Sequence, residues 1–382
     1  MSFFQLGFRP FYAVAAIFAV VALVVWLRAF AGFSGTGVYL HSVVWHSHEM
    51  LFGFSAAVIA GFLFTAVHNW TRLPTPTGIV LAGLTALWLA ARVLIFMGPA
   101  PIAAIVDVAF LPAIAVAVAL PIIRSKNVRN HKVLAVILAL AVSHGVFHLA
   151  SQGYFPADLS RTSLFASIDI VVILLAIVAG RVIPAFTKNA IPEANARHEP
   201  WVEMVTFVGM ILVALATLVS GSWALPSGMM AVLLIVVAAA HATRLGLWDP
   251  IRTIDNPLLW MMPVAYSWLA FAFLLRAFAA LNIVPASAWV HAVTIGAISS
   301  FMLAMMMRST LGHTGRQLVA SRIDMTAFLL LQFAAIVRVV ASITAGGSYR
   351  YWIVISSFAW VLAFLLFALR YLPMLGRPRV AD

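Results

Sequence analysis

The chain has no cysteine, and that one absence removes disulfides, thiolate-bound zinc, iron–sulfur clusters and thiol catalysis. Charge is nearly as scarce. Only 9% of the 382 residues are Asp, Glu, Lys or Arg, where a soluble domain carries about a quarter. Acidic residues are the rarest, 11 against 23 Lys and Arg, so the formal charge is +12. Any metal held here must rest on His, Met or carboxylate.

What the chain does have is apolar sequence: 64% hydrophobic residues and a mean hydropathy of +1.07. Water cannot be the main solvent of such a fold. Only helices and closed barrels satisfy every backbone group in lipid. Barrel strands alternate polar and apolar residues, whereas these runs are continuously apolar, so an all-α polytopic membrane bundle is expected. Runs long enough to span fall at residues 11–30, 48–67, 79–97, 101–123, 132–151 and 163–183, then 201–220, 225–245, 257–281, 288–308, 323–343 and 351–371. Arg9, an apolar run and Ala29-Phe30-Ala31 resemble a cleaved leader, but Arg28 sits where a cleavage region should be uncharged. The first run is therefore expected to stay as a span.

Basic residues set the orientation. Seventeen, including Arg9, Arg72, Arg124, Lys188, Arg308, Arg316 and Arg379, fall at the N-terminus and at the ends of even-numbered spans; six fall on the other side. The positive-inside rule puts both termini in the cytoplasm of a bacterial inner-membrane protein. Positive charge distributed this way is a topology signal and does not point to nucleic acid. The loop around Lys188 to Pro200 separates two sets of six spans without evident internal repetition, and no segment is polar enough to form a soluble domain. A single membrane domain over 1–382 is expected.

Topology turns sequence position into depth. His46, His48 and Glu49 lie at the outer end of the second span, after His41. His144 and His148, four apart and so on one helix face, close the fifth. His291 opens the tenth. Imidazoles from three distant spans thus share one depth, and imidazole suits heme iron, copper and zinc alike. Asp107 and Asp169 lie in the outer halves of the fourth and sixth spans, and Arg92 can reach Asp107 across the tight Gly98-Pro99 connection. Ionisable groups in a span usually face the bundle interior or a water path, which makes Glu49, Asp107 and Asp169 candidate proton carriers. A looser inner set comprises His68, His241 and His313. Met302, Met305, Met306 and Met307 crowd the tenth span, where packing explains them.

Several stretches together resemble the NnrS family: Gly7-Phe8-Arg9-Pro10-Phe11, Trp45-His46-Ser47-His48-Glu49-Met50-Leu51-Phe52-Gly53, Gly180-Arg181-Val182-Ile183-Pro184, and His291 through Gly296 and Arg308 to Leu311-Gly312-His313-Thr314-Gly315-Arg316. The resemblance implies a heme- and copper-containing bacterial membrane protein tied to nitric oxide metabolism and resistance to nitrosative stress. On that footing His46, His48, His148 and His291 are candidate metal ligands, with His144 as a fifth ligand or as a residue that orients the others, and Glu49 as proton donor. His241 and His313 are candidate ligands of heme b, with Arg308 and Arg316 for its propionates. One departure is plain: family members carry a His in the ninth span where this chain has Pro263. Reduction of nitric oxide with electrons from a quinol is the first expectation. Transport or insertion of copper or heme, and sensing of nitric oxide or metal, are its rivals.

Overall fold

The computed structural model describes residues 2–33, 35–219, 225–344 and 346–380. The described residues form helices and no strands, and twelve helices are long and apolar enough to cross a membrane. They are α1 Phe8–Phe30, α2 Ser42–Thr71, α3 Gly78–Met97, α4 Ala100–Arg124, α5 Val128–Ser151 and α6 Asp158–Ala190. The remaining six are α7 Pro200–Leu218, α8 Ser227–Gly246, α9 Pro257–Ala280, α10 Ala286–His313, α11 Arg322–Thr344 and α12 Gly346–Gly376. All twelve expected spans are present; Ser220, the expected end of the seventh, lies outside the described residues.

Several helices outrun their apolar stretch, three of them in ways that bear on the candidate residues. α2 begins at Ser42 and not near 48, α6 continues to Ala190, and α10 to His313. Their extra turns carry polar residues, Ser42, His46 and Ser47 in α2 among them, while His48 and Glu49, where the apolar run of α2 opens, are buried. Hydropathy stops at such residues, but the helix does not.

The chain divides into two compact units. The first is drawn from Met1–Ser167, Ser309–Gln317 and Phe364–Asp382, the second from Ile168–Arg308 and Leu318–Ala363. In the first, α2 packs on α1 and α4, while α4 also packs on α3 and α5. α2 is its most buried span: 83% of its apolar window is inside, against 33% for α3. That places α2 at the centre of the unit and its polar residues away from lipid.

α2 is not uniform. Glu49–Ser55 is π-helical, and side chains serve its carbonyls: Ser55 Oγ donates to the Met50 carbonyl (2.8 Å) and Trp88 Nε1 donates to the Gly53 carbonyl (3.0 Å). Wide turns of this kind often mark functional sites. Gly53 lets α1 and α3 pack closely here, because a Cβ there would lie 2.5 Å from the Phe18 ring and 3.2 Å from the Arg92 guanidinium. Gly53→Ala is therefore expected to cost about 1–3 kcal/mol by overpacking. Thermal unfolding in detergent checks this; a transition unchanged from wild type would mean that α1 and α3 yield freely.

Candidate metal centre

Within the first unit, four side chains from three helices converge. His48 comes from α2, Asp107 from α4, and His144 and His148 from α5, one turn apart. All four are buried. Asp107 Oδ2 lies 3.0 Å from His48 Nε2 and 3.2 Å from the Nε2 atoms of both His144 and His148. His144 Nε2 is 3.2 Å from His48 Nε2 and 3.1 Å from His148 Nε2. The remaining pair, His48 and His148, is within 4.8 Å.

Three ring nitrogens and a carboxylate oxygen cannot face one another this closely with bare lone pairs. Shared protons or a cation must lie between them. Five of the six separations are 3.0–3.2 Å. Tetrahedral donors at bond lengths of about 2.0–2.1 Å are separated by about 3.3 Å, so a single first-row cation fits with little adjustment. A square-planar set would need two long diagonals, and this set has room for only one.

The neighbouring groups hold each donor in place. His48 Nδ1 donates to Glu49 Oε1 (2.8 Å), which leaves its Nε2 lone pair facing inward. Arg92 donates from Nη1 to the same Glu49 oxygen (2.6 Å) and from Nη2 to Asp107 Oδ1, so one guanidinium fork ties both carboxylates. The expected meeting of Arg92 and Asp107 across Gly98-Pro99 is present. His148 Nδ1 is 3.0 Å from the Tyr39 hydroxyl, which also meets the Gln152 side chain. Burial, with the Asp107 charge adding to it, pushes the Tyr39 phenol up to about 12, so it remains a neutral partner at physiological pH. His144 has no hydrogen bond at Nδ1 and is oriented by stacking on Phe52, with centroids 3.9 Å apart and planes at 16°.

Glu49→Gln tests this support. The amide keeps an acceptor for His48 but loses the charge, and metal affinity is expected to fall about 10–100-fold, as for other second-layer partners. Competition against a chelator of known affinity measures it. An unchanged affinity would leave Glu49 no part in holding His48.

The other candidates lie elsewhere. His46 stacks on Trp26 (4.4 Å, 28°) and is outside the four-residue cluster. His291 is in the second unit, with Nδ1 facing the Ser287 carbonyl (2.7 Å). Asp169 is there too, paired with Arg276 (2.5 Å) and accepting from Thr217 (2.6 Å), while Arg276 stacks over Trp289 at 4.4 Å. That arrangement is helix-to-helix adhesion across α6, α7 and α9. Arg308 lies 4.1 Å over the Phe186 ring, whereas Arg316 and His313 belong to the first unit, His313 against Phe8 at 5.7 Å. His241 is fully buried, its Nδ1 2.8 Å from the Tyr266 hydroxyl, its ring stacked on Phe273 and its Nε2 without a partner. Next to it, Arg244 forms a two-pronged pair with Glu203 (2.7 and 2.8 Å) and donates to Tyr266 (2.9 Å).

Sequence reasoning passed over Tyr39, a loop residue without periodicity.

No curated protein matches the chain. The profile of one family, described as NnrS protein, matches residues 2–379, almost its whole length. The centre on α2, α4 and α5 therefore belongs to a multi-pass membrane protein that is a member of the NnrS family.

Proposed function

We propose that this protein is a copper- and heme-binding member of the nitric oxide response, with copper at His48, Asp107, His144 and His148 near the periplasmic face. The observation that carries this reading is the convergence of three Nε2 atoms and Asp107 Oδ2 within a buried site. Nitrogen-rich donors without sulfur suit copper as well as zinc, and the family favours copper. Bound copper would supply a one-electron redox centre able to bind nitric oxide, a small apolar molecule that reaches the site through lipid. Reduction of two nitric oxide molecules consumes two electrons and two protons and yields nitrous oxide and water. A quinol is the proposed electron source. The chain's own part is to hold and orient: Glu49 fixes His48, Arg92 fixes both carboxylates, and Tyr39 links His148 to the loop that precedes α2.

For heme, the fitting residue is His241: one ring nitrogen engaged by Tyr266 and the other buried and unpartnered, as an axial ligand requires. Pro263, one turn before Tyr266, offers no second imidazole.

One observation favours a second reading. Four protein donors close the centre, whereas catalytic sites usually keep a position open. A copper carrier would have this form. Purified protein, supplemented with copper and heme during expression, separates the two by metal analysis and anaerobic optical spectra with nitric oxide and a quinol. Spectral change with nitrous oxide formation supports reduction; bound copper indifferent to nitric oxide supports the carrier. Absence of both cofactors defeats the redox proposal.

A further inference from the structure

Two of the family-like stretches, Gly7–Phe11 and Leu311–Arg316, have no part in the metal centre. The structure brings them together with the C-terminal segment at one end of the first unit. Arg9, 2% exposed, donates from Nη1 to the carbonyls of Leu375 (3.2 Å) and Arg377 (2.5 Å), capping the end of α12. Its Nε has no partner. Val380 N–H donates to the Thr314 carbonyl (3.0 Å), so the segment from 377 to 380 is pinned at both ends. Gly315 makes this possible. Its φ is +72°, a Cβ there would strike the Val380 carbonyl, and the Arg379 side chain packs 3.1–3.4 Å away.

The result is a crowd of cations. Arg316 lies close enough to Arg9 to repel it, and Arg379 and His68 both act on His313 in the same sense. The pinned tail adds Arg377. Among the described residues none of these makes an ion pair. The unit's described acids are elsewhere: Glu49 and Asp107 are at the metal centre and Asp158 opens α6. Positive charge gathered at the ends of α1, α10 and α12, without a counter-charge among the described residues, calls for an anion from outside them.

We propose that this cluster binds the phosphate of an anionic membrane phospholipid, and that the bound headgroup fastens the C-terminal tail. Guanidinium forks match phosphate oxygens in geometry and charge. The location, where spanning helices end, is where anionic headgroups sit. Neither the metal centre nor the heme proposal enters this argument.

The first test needs no variant. Full-length protein is reconstituted in phosphatidylcholine vesicles with or without phosphatidylglycerol, and trypsin cleavage after Arg379 is timed. Phosphatidylglycerol should slow cleavage and phosphatidylcholine alone should not. Inorganic phosphate protecting the tail while phosphatidylglycerol fails to do so would overturn the lipid assignment. The second test is native mass spectrometry of detergent-purified protein. Arg316→Gln with Arg379→Gln should lower phosphatidylglycerol retention roughly thirtyfold. Gly315→Val, which removes no charge but displaces the tail, should lower it as well, and Arg316→Lys should recover most of it. Arg124→Gln with Arg129→Gln, on a different basic loop, should leave it intact. Equal loss in that control pair, or loss of heme in place of lipid from the Arg316 and Arg379 variant, overturns the proposal.

Discussion

His144→Ala is expected to abolish stoichiometric metal binding while leaving the protein folded. His144 Nε2 takes part in three of the five short separations, those to His48, His148 and Asp107. Its loss opens the tetrahedron on one side and leaves two imidazoles and a carboxylate. Support-layer substitutions already cost 10–100-fold, so removal of a direct donor should cost about 100-fold or more. Stability should suffer less, because the imidazole has an unsatisfied buried Nδ1 and its departure removes that penalty along with the Phe52 stacking. Metal content after chelator competition, read beside thermal unfolding, distinguishes loss of a ligand from loss of the fold. Wild-type affinity in a folded His144→Ala protein would place the metal outside this cluster.

The contrast between His144 and His291 shows what a sequence can and cannot convey about such a site. Hydropathy located all twelve spans, because lipid demands long apolar helices whatever their packing. Topology then gave depth, and the i, i+4 spacing gave a shared face for His144 and His148. Depth is a single coordinate, however. It put His291 level with the others but carried no information on lateral position, and His291 sits in the second unit. Facing direction was hidden in the same way. His46 and His48 are two residues apart on a helix and so point in different directions, one to Trp26 and the other to Asp107. Asp169 had no visible partner because Arg276 is 107 positions away in the chain. Arg92 and Asp107 were legible as a pair because only Gly98 and Pro99 separate their helices.

That pair carries the second large effect, since the Arg92 guanidinium is tied to two buried carboxylates. Glu49 and Asp107 are each 1% exposed, and Arg92 side-chain exposure is 6%. Arg92→Met leaves both acids without their guanidinium in a poorly polarisable setting, and breaking a buried pair from one side costs about 3–5 kcal/mol. A markedly lowered unfolding temperature in detergent is expected. Arg92→Lys should fall between the two, because an ammonium supplies the charge but cannot fork to Glu49 and Asp107 together. Combining Arg92→Met with Glu49→Gln and Asp107→Asn should recover much of the loss, as removing all the charges removes the imbalance. Metal provides an independent check. A cation that binds only the folded state stabilises it by mass action, and in Arg92→Met it also supplies the missing positive charge. The stability deficit of the variant should therefore shrink on metal loading by more than wild type gains. If Arg92→Met unfolds at the wild-type temperature without metal, the carboxylates are not held as ions by Arg92, and the supporting network around the centre loses its electrostatic basis.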